Sequence, residues 1–307
     1  MSLTAYLADA GQTPPSLQAL GRALHGVVSW NLNDACNYRC SYCTQRFQKD
    51  RSRQLGDPAR ALHQLGTLPG AWEIKLSGGE PFVQPGLVEL VASLVAQGHL
   101  ISVQTNFSAP DALLERFFAA TRGALHLFSA SLHLEHTTPE AFAERYQRLI
   151  QPWEAAGVRF HVTSVAVPAR LPELHDRIAP YFRERGIVFK VQPEKVHGVV
   201  RKYTAAEERL LLDLGGHNLT RQIAPNYQGR LCWAGSRYLV IKSSGTAWRC
   251  YAASRVGGRH AHLGDLHAGL VLLTGPRLCP YVHCCCTVPI QRGMIDGVPP
   301  GRDGGGD

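Results

Sequence analysis

Short apolar runs alternate with segments of helical periodicity over the first two thirds of the chain, and this alternation constrains the fold more than any other feature. Apolar runs bounded by turn-forming residues are typical of buried strands. The six candidate strands lie at residues 27–32, 72–77, 100–105, 124–132, 159–167 and 187–192. Helical spacing is clearest at residues 86–98, 139–157 and 171–186. Repeated strand–helix units indicate a parallel sheet, and six are too few to close an eight-unit barrel. We therefore expect an α/β fold built on a partial (β/α)6 TIM-like barrel.

The pattern changes near residue 195. Residues 204–214 have helical periodicity, whereas 238–250 alternate around Ser-Ser-Gly and predict a β-hairpin. The chain ends in a glycine- and proline-rich stretch typical of disorder. We divide the sequence into a lead-in, the barrel, a linker with a helix, a small cysteine-rich hairpin domain and a disordered tail. These units span residues 1–26, 27–195, 196–230, 231–292 and 293–307.

Composition excludes several classes of protein. The 307 residues are 45% hydrophobic, which suits a globular chain, and the net charge of +8 is not concentrated in a basic arm. A mildly basic surface favours an anionic substrate or nucleic acid, but no base-reading motif is present, so we expect no nucleic-acid partner. Neither a long apolar stretch nor a signal pattern occurs, so we expect a soluble cytoplasmic protein without a membrane partner.

The nine cysteines fall into two groups, three near the start and six near the end. Clustered cysteines in a reducing compartment bind metal more often than they form disulfides. The first group has the spacing Cys-x3-Cys-x2-Cys and directly follows the first predicted strand, at Cys36, Cys40 and Cys43. Three thiolates on a short loop can bind three irons of a cubane cluster and leave the fourth iron open. A zinc site is the alternative for this group.

The segment CNYRCSYC resembles the signature of the radical S-adenosylmethionine (radical SAM) enzymes, with Tyr42 in the usual aromatic position. The resemblance implies that Cys36, Cys40 and Cys43 hold a catalytic 4Fe-4S cluster. It also implies that S-adenosylmethionine chelates the open iron and that its reductive cleavage gives a 5'-deoxyadenosyl radical. A flavodoxin- or ferredoxin-type protein would supply the electron.

Further residues at strand ends match the same family. SGGEP at 77–81 resembles the segment that binds the methionine amino group, which assigns Gly78, Gly79 and Glu80 to the cofactor. By the same resemblance, Asn106 and Ser131 contact S-adenosylmethionine, although Phe107 stands where the family often has glycine. His133, Glu135 and His136 follow on the same rim. They bind substrate or relay a proton, or else are solvated or cap a helix.

The C-terminal cysteines resemble the SPASM and twitch extensions of that family. Cys232, Gly245 and Cys250 fit the opening of their motif, in which a hairpin supplies two ligands to an auxiliary iron-sulfur cluster. The later cysteines suit one 4Fe-4S cluster of the shorter twitch type, with a zinc knuckle as the alternative. Adjacent side chains point apart, so at least one thiol should be spare. The remaining candidate ligands are Cys279, Cys284, Cys285 and Cys286.

These observations lead to one functional expectation and two alternatives. The resemblance implies an enzyme that abstracts hydrogen from a small metabolite such as a sugar or aminocyclitol. The first alternative is a peptide maturase that forms thioether or carbon–carbon crosslinks. The second is a non-catalytic iron-sulfur carrier, which would need four thiolates per cluster and would have no use for SGGEP.

Overall fold

The computed structural model describes residues 15–44, 57–154, 158–196, 199–215, 225–282, 284 and 287–300. The strands of this part of the chain are β1 (Leu17–Ala19), β2 (Arg22–Leu24), β3 (Gly26–Asn31), β4 (Trp72–Ser77), β5 (Leu100–Thr105), β6 (Leu125–Ser131), β7 (Arg159–Ala166), β8 (Phe189–Pro193), β9 (Lys195–Val196), β10 (Val199–Val200), β11 (Leu231–Cys232), β12 (Tyr238–Ile241), β13 (Thr246–Trp248), β14 (His262–Asp265), β15 (Gly269–Leu270) and β16 (Arg277–Leu278). The α-helices are Pro58–Gly66, Leu87–Ala96, Asp111–Ala120, Pro139–Glu154, Leu171–Glu173, Ala179–Arg183, Ala205–Asp213, Ala253–Val256 and Thr287–Gln291.

A single large sheet organises the molecule. Its strand order is β15-β14-β13-β12-β3-β4-β5-β6-β7-β8. Every neighbouring pair from β12 to β8 is parallel, whereas the pairs from β15 to β12 are antiparallel. The six strands predicted from the sequence are β3 to β8, each within two residues of its predicted limits. Among the described residues β8 and β15 form the two ends of the sheet and do not pair, so the barrel is open. The expected α/β fold with a partial barrel is confirmed.

Alternation along the strands divides the side chains between two faces. The convex face packs under the helices, where Trp30, Ile74 and Phe128 lie in the main hydrophobic core. The concave face is largely polar and includes Ser29 and Lys75, which are register partners on β3 and β4. The carboxyl ends of the parallel strands carry the loops that contain the predicted site residues, as is usual for such sheets.

The predicted hairpin at 238–250 forms β12 and β13, but it continues the main sheet. β12 pairs in parallel with β3, with Tyr238 opposite Val27. Leu239 and Ile241 are fully buried and belong to the main core beneath the helices. The predicted boundary at residue 231 therefore marks a change in sequence composition, because strands from both sides of it belong to the same sheet.

Two predicted segments differ from the structure. The single helix expected at 171–186 contains a π-helical turn at Leu174–Ile178, just before Pro180, which has no backbone N–H to continue regular α-helical bonding. The tail expected to be disordered from 293 is ordered to residue 300, because Met294, Ile295 and Val298 are buried in a second hydrophobic cluster. Residues 301–307 lie outside the described part of the chain.

Candidate functional site

The first cysteine group lies in the loop that follows β3. Cys36 and Cys40 are partly buried and Cys43 is exposed, and a turn closes the loop where Cys43 N donates to Cys40 O at 3.2 Å. Burial raises the pKa of Cys36, and it raises the pKa of Cys40 to about 11. Both groups are therefore thiols in the metal-free chain, and metal binding must displace their protons.

The SGGEP segment packs directly against the backbone of the cysteine loop. Gly79 N donates to Asn33 O at 2.9 Å, Glu80 N donates to Ala35 O at 2.8 Å, and Asn33 Nδ2 donates to Glu80 O at 3.0 Å. A Cβ on Gly78 would lie 2.5 Å from Asn33 O, and one on Gly79 would lie 2.0 Å from Ala35 O. The glycines thus permit the end of β4 to contact the chain immediately before Cys36.

Glu80 is fully buried and bridges the ends of two strands. One carboxylate oxygen accepts from Thr105 Oγ1 at 2.7 Å and Phe82 N at 3.0 Å, and the other accepts from Asn106 N at 2.6 Å. Burial raises the pKa of Glu80 to about 7, although these three donors favour the carboxylate. The side chain fixes the backbone of Asn106 at the end of β5.

Asn106 in turn contacts the cysteine loop. Its Nδ2 donates to Asn37 Oδ1 at 2.9 Å and lies 3.9 Å from Cys36 Sγ. Phe107 follows with a φ of 58°, in the left-handed region that glycine adopts without strain. Its ring packs against Phe142, with the Arg145 guanidinium 4.7 Å from the ring centroid. This packing supports a bulky residue where the family often has glycine.

The three rim residues after β6 all contact the cysteine loop. Glu135 accepts from Ser41 N at 2.8 Å and Ser41 Oγ at 2.5 Å, and the His136 ring stacks on Tyr38 at a centroid distance of 4.0 Å. His133 Nδ1 lies 2.8 Å from Tyr42 Oη and 3.4 Å from Cys40 Sγ. Burial lowers the pKa of His133 to about 4, so the ring is neutral, and its tautomer sets the direction of the hydrogen bond between Nδ1 and Tyr42 Oη.

The structure thus gives His133, Glu135 and His136 a common role, in which they hold the cysteine loop against the end of β6. Ligand atoms of Cys40, Glu135 and His136 also lie within 4.8 Å of one another, but Cys40 already belongs to the cysteine loop. Ser131 is buried at the last position of β6, just before this rim.

The second cysteine group surrounds one cavity. Cys232, Cys250, Cys279 and Cys284 all line it, whereas Cys285 and Cys286 lie outside the described residues. Burial raises the pKa of Cys232 to about 12 and that of Cys250 to about 11. Four cysteines from separate segments of the chain therefore line one largely apolar cavity.

Two further residues on the cavity wall were not predicted from the sequence. Arg249 is 2% exposed, and its Nε has no hydrogen-bond partner among the described residues; the same holds for the buried hydroxyl of Tyr227. Arg249 acts electrostatically on both Cys232 and Cys250 and favours their thiolates. The position of Arg249 next to Cys250 in the sequence could have indicated a place in the site, but an arginine in a hairpin is usually solvated. No sequence feature indicates that Tyr227 lines the cavity.

No helix in the described ranges is both long enough and apolar enough to span a bilayer.

Comparison with known proteins supplies the family. Residues 30–165 match the sequence profile described as Radical SAM superfamily. The chain is 29% identical over 149 residues to 7-carboxy-7-deazaguanine synthase of Rhodopirellula baltica, which covers 46% of this chain and 56% of the relative. It is 32% identical over 111 residues to GTP 3',8-cyclase of Stenotrophomonas maltophilia, which covers 34% of each chain. The aligned regions therefore span between a third and just over half of these relatives.

A solved structure gives the same fold. Streptococcus suis SuiB bound to precursor peptide SuiA superposes with a TM-score of 0.56 at 15% identity, over 78% of this chain and 62% of that one. At this identity the likeness concerns the fold. The profile match identifies residues 30–165 as a radical SAM domain, and the enzymes of that superfamily use a 4Fe-4S cluster and S-adenosylmethionine.

Proposed function

We propose that this chain reductively cleaves S-adenosylmethionine at a 4Fe-4S cluster held by Cys36, Cys40 and Cys43 and then takes a hydrogen atom from a small metabolite. The observation that carries the proposal is the attachment of the cysteine loop on two sides. The ends of β4 and β5 hold it through Glu80 and Asn106, and the rim after β6 holds it through His133 and Glu135.

The residues fit this cofactor. Three thiols on one loop match the ligand set of a cluster with an open iron. When bound, the cluster and S-adenosylmethionine supply a primary carbon radical. This chain's own contribution is to position the loop, to keep the His133–Tyr42 pair uncharged beside Cys40, and to leave Gly78 and Gly79 without side chains at the strand end.

We further propose that Cys232, Cys250, Cys279 and Cys284 hold an auxiliary 4Fe-4S cluster. Four cysteines around one cavity match the full ligand set of such a cluster. On the cavity wall, the buried Arg249 Nε and Tyr227 hydroxyl have no hydrogen-bond partner among the described residues, and these donors match the negative charge that the thiolates and sulfides would bring. A structural zinc site would use the same four thiolates. The buried donors on the wall favour the larger, more anionic cluster.

The names of the sequence relatives support a small metabolite as substrate, since both are named for small heterocyclic molecules. The peptide maturase remains the second candidate because the fold is like that of a protein solved with a precursor peptide. The carrier alternative is less well supported, since only three cysteines lie in the first loop.

The test is anaerobic. The purified chain is reconstituted with iron and sulfide, then given dithionite and S-adenosylmethionine, and 5'-deoxyadenosine is measured. We expect the wild type and the exposed control Arg116→Met to form it, and the triple variant Cys36→Ala, Cys40→Ala, Cys43→Ala to form none. Formation of 5'-deoxyadenosine by the triple variant would refute the assignment.

A further inference from the structure

The three cysteines of the first loop differ in what lies against their sulfur atoms. Cys36 Sγ accepts from the backbone N–H of Tyr38 at 3.3 Å, and Cys43 is exposed. Cys40 Sγ lies 3.4 Å from Nδ1 of His133, a residue 93 positions further along the chain. A backbone N–H is present whatever the sequence, whereas the imidazole beside Cys40 depends on the identity of residue 133. This contact therefore singles out Cys40 among the three.

The backbone around His133 is fixed on both sides. The residue before it, Leu132, donates from N to Thr163 O at 2.8 Å and accepts at O from Ser164 Oγ at 3.1 Å, so it is bound to β7. On the other side, His136 N donates to His133 O at 2.9 Å and closes a turn. The imidazole thus projects from a rigid part of the rim after β6.

Two aromatic rings of the cysteine loop hold the imidazole itself. The Tyr42 ring lies nearly parallel to it, with an interplanar angle of 15° and a centroid distance of 6.0 Å, and the Tyr38 ring meets it edge-on at 89° and 5.9 Å. His133 Nδ1 also lies 2.8 Å from Tyr42 Oη. The Tyr42 hydroxyl in turn hydrogen-bonds to the Cys40 side chain. Nδ1, Oη and Sγ therefore form one compact group of polar atoms.

Iron binding changes which of these atoms can donate. In the metal-free chain the Cys40 thiol has a hydrogen that it can donate to Nδ1, whereas an iron-bound thiolate only accepts. A bare Nδ1 would then direct its lone pair at the negative sulfur, so the bound state selects the tautomer with hydrogen on Nδ1. A protonated ring would also donate from Nδ1, because both of its nitrogens carry hydrogen. The contact thus becomes a donor to the thiolate in either state of the ring.

We propose that His133 is a positioning residue that donates a hydrogen bond from Nδ1 to the Cys40 thiolate and thereby raises the reduction potential of the cluster held by the first loop. The inference rests on the proposed function, because it concerns the cluster of the same site. A hydrogen bond to a ligand sulfur draws electron density away from the iron and stabilises the reduced form. The cluster is then easier for an electron donor to reduce.

A purely mechanical role for His133 predicts a different result. If the ring only held the loop in place, its replacement would lower the iron content, and the clusters that still formed would keep the wild-type potential. A side chain with a donor at the position of Nδ1 would then have no advantage over one without. The potential and its recovery by a donor-bearing variant therefore separate the two roles.

The test is a redox titration of the anaerobically reconstituted full chain, followed by electron paramagnetic resonance. The signal that changes when S-adenosylmethionine is added identifies the cluster of the first loop. His133→Phe keeps a ring between Tyr38 and Tyr42 but removes both nitrogens. We expect the ratio of reduced to oxidised cluster at a fixed applied potential to fall by about threefold or more in this variant. His133→Asn keeps a donor near the position of Nδ1 and should bring the ratio back toward that of wild type.

The matched control is His63→Phe, the same substitution at an exposed position of the helix Pro58–Gly66, and it should titrate as wild type does. An unchanged ratio in His133→Phe, or a ratio in His133→Asn as low as in His133→Phe, would overturn the proposal. His133→Leu is a second variant without a donor and decides the matter if phenylalanine prevents cluster assembly. Loss of the cluster from all three variants would show that His133 only supports the loop, which also overturns the proposal.

The outcome for wild type separates this inference from the function on which it rests. A wild type without the signal that responds to S-adenosylmethionine would refute the proposed function and this inference with it. A wild type with that signal, together with an unshifted titration of His133→Phe, would refute this inference alone. The titration requires no turnover of substrate.

Discussion

At the scale of single residues, Glu80 shows how a motif residue can act through others. The resemblance assigned it to the cofactor, but both of its oxygens are occupied by donors from the chain. Motif matching finds such a residue without revealing what it contacts. These contacts position Asn106 and hence the cysteine loop, and the cofactor contact that the resemblance implies for Glu80 stays a prediction.

Glu80→Gln should destabilise the metal-free protein by about 1–3 kcal/mol, because one amide group would place its N–H atoms against the buried donors of Phe82, Thr105 or Asn106. Urea unfolding followed by circular dichroism measures this. The control Glu89→Gln, at an exposed carboxylate paired with Arg116, should change stability little. Equal effects of the two substitutions would contradict the role given to Glu80.

Arg249 supports a second prediction at this scale. If its guanidinium faces the auxiliary cluster, Arg249→Met should lower the midpoint potential of that cluster, because a nearby positive charge and donor stabilise the reduced form. Redox titration followed by electron paramagnetic resonance measures the potential. The control Arg259→Met removes an exposed charge from the same region and should leave the midpoint potential unchanged. An unchanged midpoint potential in Arg249→Met would show that the arginine does not act on the cluster.

At the scale of elements, the contact between SGGEP and the cysteine loop revises an expectation. The SGGEP motif by itself predicts that Gly78→Val weakens S-adenosylmethionine binding and leaves the iron content nearly unchanged. The structure gives a reason to expect iron loss as well, because a Cβ on Gly78 would lie 2.5 Å from Asn33 O, three residues before Cys36.

Gly79→Ala isolates this effect, since its Cβ would lie 2.0 Å from Ala35 O. We expect the iron content after reconstitution to fall together with S-adenosylmethionine binding, as measured by iron assay and equilibrium dialysis. Gly66→Ala is the control, because Gly66 ends a helix and its Cβ would meet only the flexible Gln97 side chain at 3.3 Å. Normal iron with weakened cofactor binding in Gly79→Ala would restore the original expectation.

Local patterns were enough to predict β3 to β8 and the hairpin of β12 and β13, because apolar runs and turn residues are properties of neighbouring positions. They could not predict that β12 pairs with β3, since that pairing joins Tyr238 to Val27 and has no local signal. The burial of Met294 and Ile295 also has no local signal, because glycine and proline dominate the composition around these residues. The rim contacts of His133 and Glu135 likewise depend on how two loops meet.

At the scale of the whole molecule, Glu73 connects the sheet to the C-terminal segment through Arg292. Its pKa in the folded chain lies below the usual 4.5, so its contribution to stability is present above that value and is lost as the pH falls below it. Wild type should therefore lose stability on acidification more steeply than Glu73→Gln does. Thermal unfolding between about pH 3 and 7 measures the difference. Parallel curves of stability against pH for wild type and Glu73→Gln would show that Glu73 does not cause the loss of stability in acid.

The two cysteine groups give the last prediction. Reconstituted wild type should hold about eight irons per chain, and Cys232→Ala with Cys250→Ala should hold about four, as determined by iron analysis and Mössbauer spectroscopy. The first cluster should remain because its loop is held by β4, β5 and the β6 rim. Four irons in wild type, or stoichiometric zinc, would overturn the auxiliary cluster and leave the first assignment intact.

The pairing of β12 with β3 also bears on biosynthesis. The edge of β3 stays open on the ribosome until Tyr238 and its neighbours have been made, more than 200 residues after Val27. At about 5–20 residues per second, that interval is on the order of 10–40 seconds. Contacts such as Ser243 Oγ to Asp34 Oδ2 at 2.5 Å and Tyr251 Oη to Asn31 Oδ1 at 3.1 Å form only then. Metal delivered to the nascent chain would reach the cysteine loop before these contacts have formed, so iron-sulfur assembly on this protein should follow translation.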